Sequence, residues 1–442
     1  MAFPTSTLPK SVDAALPPGS QLPVAVQSLL FGAFRPQVMT HMQRRHGDMF
    51  TLHIAPRNRR LVVLGRPEDI RTVFSGAPAV YHAGEGNAIL GPIMGDHSVL
   101  LVDDDEHVRV RRLLMPAFHG AALRGYEQLV AEVARTQAAR WPVGPVFASH
   151  DRMHEVTLEV ILRVVFGVTD EARLAALRPL VRDVVGIGPL VMLGFFYPKL
   201  QGFGPWRRYL TGQRELDRLL YAEIAERREA TDLADRDDVL SRLLRTGEGP
   251  DGLTDAELRD QLVTLLLAGH ETTATTLAWA WHDLARNPDQ LARARAAADS
   301  GEDEYLVAVV KEALRLHPVV YEVARRLKAP VEVGGYRLPA GVTVMPAIGL
   351  VQADQRHFEA PGEFRPERFL GGQPAPNTWI PFGGGARRCL GAGFAQLEAT
   401  VVLREVLTRF DLRFDGSRPE RAKARNITLI PARGARIAIT SR

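Results

Sequence analysis

A long predicted helix in the middle of the sequence constrains the fold more than any other feature. Thr254 is followed three residues later by Glu257, which is a capping-box pattern for a helix start. Asn287-Pro288 ends the pattern after Arg286. About 32 residues rising 1.5 Å each span roughly 48 Å, enough to cross a whole domain. Most of this helix is apolar, so the sequence predicts a mainly helical protein with this helix buried at its centre.

The middle of this helix breaks the usual propensity rules. Residues 268–273 read Ala-Gly-His-Glu-Thr-Thr, which places glycine, a carboxylate and two β-branched hydroxyl residues in a buried helix. Glycine costs about 1 kcal/mol relative to alanine there, and a buried carboxylate costs more unless it is paired. Such a departure is typical of a functional site, often with a widened helical turn. A kink accommodated by packing is the structural alternative.

A glycine-rich loop near the C-terminus holds Cys389, the only cysteine of the 442 residues. Glycines at 383–385 allow a sharp turn and a close approach to another group, and an apolar helical pattern follows directly. A helix N-terminus, Arg387 and Arg388 would each lower the pKa of the thiol. A thiolate there is a nucleophile or a metal ligand. A lone cysteine is more often a small buried hydrophobe, but glycines and arginines do not suit a core position.

Composition excludes several classes of protein. The formal charge of +4 with a pI of about 9.3 is too weak a bias for nucleic-acid binding. One cysteine rules out an internal disulfide. No apolar stretch reaches the length of about 18 residues that a membrane span needs, and residues 1–23 do not resemble a signal peptide. We therefore expect a cytoplasmic protein without stable membrane insertion, forming a single domain over residues 1–442 with an extended lead-in at residues 1–20.

Hydrophobic periodicity and turn signals predict the remaining elements. Helices are expected at residues 36–47, 67–74, 103–117, 305–316 and from 394, and through most of 126–245. Strand pairs are expected between residues 50–54 and 61–64, between 331–333 and 342–344, and around a C-terminal hairpin with its tip at 427–429. Residues 76–100 are predicted to form a long apolar loop. Residues 184–197 are predicted to be a mobile apolar cover, with a membrane-dipping or buried core segment as alternatives.

The loop around the cysteine resembles a known family. Phe382, Gly385, Arg387, Cys389 and Gly391 match the Phe-x-x-Gly-x-Arg-x-Cys-x-Gly pattern of cytochrome P-450, the haem-thiolate monooxygenases. Residues 268–273 are similar to that family's central-helix signature, and the motifs follow one another in the expected order from about residue 17 to the C-terminus. The resemblance implies a mainly α fold with a small β region, a triangular helical prism around buried haem b (iron protoporphyrin IX).

The resemblance also implies a role for each residue at the centre of the site. Cys389 would be the proximal ligand of the haem iron, where a thiolate favours O–O cleavage. Phe382 and Ala268 would contact the haem, and the glycines of the loop would let it lie flat under the macrocycle. Gly269 would leave room for dioxygen. Thr272 would hydrogen-bond the activated oxygen, and Glu271 would relay protons inward from solvent.

Basic residues far apart in the sequence are implied to bind the haem propionates. His107 and Arg111 lie four apart and share a helix face, although a pair of this kind is usually solvated. Arg325 and Arg387 would complete the clamp, since the planar fork of arginine suits a carboxylate. Arg326 is an adjacent alternative to Arg325 that spacing does not exclude.

A second implied set is structural. Glu312 and Arg315 lie three apart on one helix, and alone they would be a weak surface pair. The resemblance joins them with Arg368 into a buried triad that pins the irregular segment beneath the cysteine loop.

The resemblance implies oxygen insertion into a C–H bond of an apolar small molecule. The predicted pocket residues are aliphatic, which suits a fatty acid, terpenoid or steroid, with a fatty acid first. Predicted pocket residues are Leu265, Ala268, Val320, Val323 and Ala324, with the 427–429 tip closing over them. A peroxide-using peroxygenase is one alternative, against which Glu271 and Thr272 argue. A non-catalytic haem- or lipid-binding protein is the other.

Electrons are expected to come from other proteins. The chain has no flavin or nicotinamide fingerprint and no cysteine cluster, so we expect a ferredoxin and its ferredoxin reductase as donors to a monomer. Residues 404–442 carry ten basic and four acidic side chains. Such a run is usually a solvated face, but beside the cysteine loop it would steer an acidic donor.

Overall fold

The predicted central helix runs from Asp255 to Arg286 in the computed structural model of the protein. The Thr254 hydroxyl accepts from the Glu257 amide and the Glu257 carboxylate accepts from the Thr254 amide, so both bonds of the capping box are present. The helix is buried along most of its length, as the sequence predicts. The structure describes residues 16–56, 58–168, 170–185, 201, 204–246, 252–416 and 418–442.

Helices make up most of the described chain. In chain order, helices α1 to α16 are Val24–Ala33, Arg35–His46, Pro67–Ser75, Ala83–Gly86, Gly91–Met94, Asp104–Leu114, Ala121–Ala138, Ser149–Phe166, Glu171–Val185, Gly204–Glu229, Val239–Thr246, Asp255–Arg286, Pro288–Ser300, Asp303–Leu316, Ile348–Gln352 and Ala392–Leu407. Strands β1 to β12 are Met49–Ile54, Arg59–Leu64, Tyr81–His82, Phe147–Ala148, Arg325–Leu327, Val331–Val333, Tyr336–Leu338, Thr343–Pro346, Phe410–Phe414, Ala422–Arg425, Thr428–Pro431 and Arg436–Ser441.

The β region is small and lies beside the helices. Its largest sheet has the strand order β1-β2-β8-β5-β3, with β1 and β2 antiparallel and β2 and β8 parallel. The extended lead-in is held at its edge, where the Thr51 amide donates to the Pro18 carbonyl at 2.9 Å and Gly19 forms a bridge with Thr51. Strand β5, which carries Arg325, pairs with β8 and with β3 in this sheet.

The core forms around α12. Helices α8, α14 and α16 pack against it, and Trp279 and Trp281 are among the largest fully buried side chains. The indole Nε1 of Trp281 lies 3.2 Å from the Met153 sulfur on α8. The central helix therefore contacts helices from distant parts of the chain, as expected from its predicted length. No helix among the described residues is both long and apolar enough to cross a membrane.

Three expectations from the sequence are corrected by the fold. Helix α1 is absent from the prediction because it is apolar on most sides and its N-cap, Pro23, makes no side-chain capping bond. Residues 76–100 are not an irregular loop, since β3, α4 and α5 lie within them and Ile93 and Met94 are buried. Strand β6 pairs with β7 and not with residues 342–344, because Gly334 and Gly335, with φ of +56° and +83°, form a tight turn between these strands.

Two further predictions concern the middle of the central helix and residues 184–197. The central helix is continuous through residues 268–273, without the widened turn that its composition suggests. Most of the predicted apolar cover at residues 184–197 lies outside the described residues.

Candidate active site

Cys389 lies in a tight loop, three residues before the first residue of α16. Its amide donates to the Phe382 carbonyl at 2.9 Å, and a 3-10 turn at Gly385–Arg387 precedes it. The Phe382 ring packs edge-on against Trp379 at a centroid distance of 6.1 Å. The loop therefore fixes Cys389 close to a helix N-terminus, as the sequence predicts.

Burial and nearby charges act on the pKa of the Cys389 thiol in opposite directions. The residue is exposed, yet the surrounding protein desolvates the thiol and raises its pKa. The Gly391 amide, Arg111 and Arg388 lower the pKa, but burial outweighs them. The prediction of a lowered thiol pKa is therefore wrong for the protein alone, although bound metal would favour the thiolate over the thiol.

One stripe along the central helix is accessible and not fully buried. Ala268 is exposed and Leu265, Gly269 and Thr272 are half-buried, although the rest of this part of α12 is largely buried. These four residues have the i, i+3, i+4, i+7 spacing of one helix face. An accessible face within a core helix indicates a cavity, and this one is apolar apart from the Thr272 hydroxyl.

Cationic side chains from three separate segments gather at another part of the site. His107 on α6 and Arg325 on β5 are buried, and both interact electrostatically with Arg387 of the cysteine loop. Burial, with Arg387 and Arg111 nearby, lowers the pKa of His107 to about 4. Burial and Arg387 lower the pKa of Arg325 to about 10. Such mutual repulsion indicates a site suited to an anionic partner.

Strand alternation separates the two adjacent arginines of β5. Arg325 is buried, donates to the Ala324 carbonyl at 2.8 Å and lies over the Phe74 ring. Arg326 instead interacts with Arg59 across the sheet. Because successive side chains of a strand point to opposite faces, only Arg325 of this pair lies with His107.

Asp103 is the site residue that sequence reasoning missed. Its carboxylate accepts from Arg387 and from the Gly84 and Glu85 amides, at 2.9 and 3.0 Å for the amides. Arg387 also donates to the Val102 carbonyl at 2.7 Å. Asp103 thus holds Arg387 in place. Its position just before α6 indicated only a helix start, and no sequence signal linked it to a residue 284 positions away.

Arg111 lies on the cysteine side of the cluster. Its Nη2 donates to the Arg388 carbonyl at 2.8 Å, and the guanidinium interacts electrostatically with Cys389. It therefore braces the loop from α6 in addition to adding positive charge.

Protein packing is tight at three glycines of the two motifs. A Cβ at Gly269 would come within 2.6 Å of Ile161 Cδ1 on α8. A Cβ at Gly384 would lie 2.3 Å from the Phe74 ring, and one at Gly385, where φ is +65°, would lie 2.0 Å from the Phe74 carbonyl oxygen. The space expected at Gly269 for dioxygen stays a prediction. The close contact that the structure contains there is with α8.

Glu271 and Thr272 point to different partners. The Thr272 hydroxyl donates to the Ala268 carbonyl at 2.7 Å within α12. Glu271 is buried, and its Oε1 accepts from the Thr428 hydroxyl at 3.2 Å and lies 3.7 Å from the Arg425 Nε. Burial raises the pKa of Glu271, and Arg425 and Thr428 lower it. A carboxyl with partners on a surface hairpin can exchange protons with solvent.

The predicted triad is present, with Glu312 and Arg315 buried and Arg368 partly buried. Arg315 and Arg368 both bond the Glu312 carboxylate, with Arg368 Nε at 3.0 Å from Oε1. Arg315 also donates to the Pro361 carbonyl at 2.9 Å and the Glu363 carbonyl at 3.2 Å. The triad therefore ties α14 to the irregular segment that leads to the cysteine loop.

Comparison with known proteins decides the family. The family model for cytochrome P450 matches residues 16–438. The chain belongs to the cytochrome P450 family. It is 49% identical over 429 residues to cytochrome P450 135A1 of Mycobacterium tuberculosis, covering 97% of this chain and 96% of that one. It is 48% identical over 432 residues to cytochrome P450 135B1 of the same species, covering 96% and 91%.

A solved structure shares the fold. The cyanobacterial CYP120A1, determined with bound retinoic acid, superposes with a TM-score of 0.85 over 97% of this chain and 99% of that chain, at 22% sequence identity. The cytochrome P450 fold is therefore confirmed, as is the mainly α class with a small β region.

Cytochrome P450 proteins use haem, and the residues of this site fit that group. The Cys389 thiol, which interacts with Arg111, offers a soft ligand for iron. The accessible stripe of α12 offers an apolar face with one hydroxyl. Arg111, Arg325 and Arg387 offer positive charge for two carboxylates, and the neutral His107 ring offers a hydrogen bond. Each of these features is present in the folded chain itself.

Proposed function

We propose that this cytochrome P450 hydroxylates an apolar small molecule, with a haem that the Cys389 thiolate would hold. The observation that carries the proposal is that the folded chain contains three features suited to haem. These are the Cys389 thiol, the accessible stripe of α12, and the basic cluster, in which Arg387 interacts with the carboxylates of Asp103 and Asp104.

Cys389 would bind the haem iron, and Arg325, Arg387, His107 and Arg111 would bind the propionates. Bound haem supplies oxygen activation, which the side chains of this protein cannot perform. The Cys389 amide is bonded to Phe382, so that the loop geometry holds the thiol in one direction. Arg111 beside it favours the anionic form that binds metal.

Thr272 and Glu271 would supply protons to an apolar cavity that has few other donors. The Thr272 hydroxyl lies on the accessible stripe, and its oxygen retains lone pairs that accept a proton while it donates to Ala268. Glu271 would take protons from the solvent side at Arg425 and pass them toward Thr272. Burial raises the pKa of this carboxyl, which brings it closer to the range useful for proton transfer near neutral pH.

The residues predicted to line the pocket support an apolar substrate. Leu265, Val320, Val323 and Ala324 are all half-buried and aliphatic, so the pocket would select a fatty acid, terpenoid or steroid, with a fatty acid as the first choice. Electrons would come from a ferredoxin and its reductase. Several basic residues near the C-terminus already form ion pairs, such as Arg404 with Glu127 and Arg442 with Asp299, which leaves less of this run to steer a donor.

The reduced, carbon monoxide-treated protein tests the central bond. Thiolate ligation is expected to produce the far-red Soret band, and Cys389→His is expected to bind haem without it. Product formation from lauric acid with surrogate ferredoxin and reductase tests the activity. A protein that lacks the band, or that binds haem but oxidises no compound from a panel of fatty acids, terpenoids and steroids, contradicts the proposal.

A further inference from the structure

The C-terminal hairpin contacts the carboxyl group of the central-helix motif. Thr428 begins β11, and its hydroxyl lies 3.2 Å from Glu271 Oε1 and 2.8 Å from the Arg425 carbonyl. Arg425 ends β10, and its Nε lies 3.7 Å from the same Glu271 oxygen. These two side chains, 157 and 154 residues away along the chain, face Glu271 from the two strands of one hairpin.

The same hairpin also contacts the segment predicted to line the pocket. Thr428 forms an antiparallel bridge with Val320, and the Leu429 amide donates to the Val319 carbonyl at 2.8 Å. The β10–β11 hairpin is therefore attached to the 319–324 segment on one side and to Glu271 on the other. Its position is fixed by backbone hydrogen bonds, so that its side chains reach Glu271 from a rigid support.

Charges around Glu271 make Arg425 the important partner. The Arg425 side chain is 33% exposed and the Glu271 side chain 12%, so Arg425 connects a buried carboxyl with solvent. Arg425 also faces His150 and His154 of α8 and His270 of α12. Burial first, and Arg425 in addition, lowers the pKa of each ring, and Arg182 of α9 acts in the same direction on His154 and His270. These rings therefore stay neutral near pH 7 and leave Glu271 as the group that Arg425 stabilises.

We propose that Arg425 and Thr428 are positioning residues that hold the Glu271 carboxylate toward the hairpin, where it accepts protons from solvent. The proposal rests on the proposed function, in which Glu271 relays protons to Thr272. Without these partners the buried carboxyl would lose its charge-assisted contact and its hydrogen bond. It would then hold its proton more tightly and deliver it less readily.

The test measures the titration of Glu271 in the ferric protein by infrared difference spectroscopy. The carboxyl band is assigned by its loss in Glu271→Gln. In Arg425→Gln and in Thr428→Val the midpoint is expected to move to higher pH, because each change removes a group that lowers the pKa of Glu271. Arg425→Lys and Thr428→Ser keep the charge and the hydroxyl. In these variants the Glu271 midpoint is expected to stay close to the wild-type value. Lys423→Gln removes an exposed cation from the same strand and is the matched control.

A second measurement follows protons during turnover. With surrogate redox partners, the solvent deuterium isotope effect on oxygen consumption is expected to increase in Arg425→Gln and Thr428→Val and to stay at the wild-type value in Lys423→Gln. An unchanged Glu271 midpoint in both variants, with the thiolate Soret band intact, would overturn the positioning role alone. Absence of that band in the parent protein would instead refute the proposed function.

Discussion

Arg315 donates two parallel hydrogen bonds to the Glu312 carboxylate, from Nε at 2.7 Å and from Nη2 at 2.9 Å, and both side chains are completely buried. The third nitrogen of the same guanidinium, Nη1, donates to the carbonyls of Gln352 and Pro361. One planar group therefore joins α14 to the chain segments beneath the cysteine loop. A point charge of similar size could not make all of these bonds.

Arg315→Lys is expected to yield protein with little or no haem. The substitution keeps the charge but loses the fork, and a disrupted buried pair costs on the order of 3–5 kcal/mol. Haem content per folded protein, from the Soret-to-protein absorbance ratio, measures the outcome. Arg365→Lys is the matched control, because Arg365 pairs with Glu363 at a half-exposed site. Normal haem content in Arg315→Lys would show that the triad does not support the loop.

Arg325→Gln is expected to weaken haem binding, and Arg326→Gln is expected to leave it unchanged. A hydrogen bond to a charged group contributes about 1.5–3 kcal/mol, which corresponds to roughly 10- to 100-fold in affinity. The two arginines are adjacent but face opposite sides of β5. Haem transfer to apomyoglobin measures the affinity. Equal losses of haem affinity in both variants would mean that haem binding depends on positive charge near the site and not on the direction of the Arg325 side chain.

Thr272→Ala is expected to divert electrons from product to peroxide. The hydroxyl lies on the accessible stripe of α12, where the proposed function needs a proton donor. Thr276→Ala is the control, since Thr276 makes the same type of bond, to the carbonyl four residues earlier, but is buried. The ratio of peroxide formed to NADPH consumed gives the result. A peroxide-using enzyme would be barely affected by the change at Thr272.

A buried histidine cluster is expected to make stability depend on pH. His154 Nδ1 lies 3.2 Å from His270 Nε2, and the rings of His150 and His154 are 4.4 Å apart. Burial lowers the pKa of His150 and His270 to about 4 from 6.5. Below pH 6.5 the unfolded chain therefore binds protons that the folded protein does not bind. The free energy of unfolding then falls by about 1.4 kcal/mol for each group per unit decrease in pH.

Urea unfolding between pH 7 and pH 5 measures this effect. His150→Asn is expected to show a shallower decline than the wild-type protein, because it removes one of the groups that titrate differently in the two states. Parallel curves for variant and wild type would mean that His150 is protonated equally in both states.

Glu398→Gln is expected to stabilise the protein increasingly as the pH rises above about 4.5. Glu398 on α16 is 1% exposed, and burial raises its pKa well above the ordinary 4.5. The folded protein keeps a proton that the unfolded chain releases, so wild-type stability decreases with pH across this window by about 1.4 kcal/mol per unit. Glutamine cannot titrate. Unfolding free energies at pH 5 and pH 7 for both proteins give the difference, and an equal gap at both values would contradict the prediction.

Local sequence patterns were sufficient for many elements of the fold. The capping box at Thr254, the stop at Asn287-Pro288 and the apolar repeat after Cys389 depend on residues close together in the chain, and all appear as helix boundaries in the structure. Helix α1 escaped prediction because it lacks such signals. The pairing of β6 escaped because two residues of positive φ, Gly334 and Gly335, outweighed the apolar run at 342–344.

The sequence by itself determined the family, the helical class and the identity of the candidate ligand, because motif residues and their spacing do not depend on distant contacts. Tertiary structure alone decided which side of β5 faces the site, that Asp103 holds Arg387, that burial raises the pKa of the Cys389 thiol, and that Arg425 and Thr428 reach Glu271. Each of these depends on desolvation or on contacts between residues far apart in the chain. Those quantities exist only after the elements have packed.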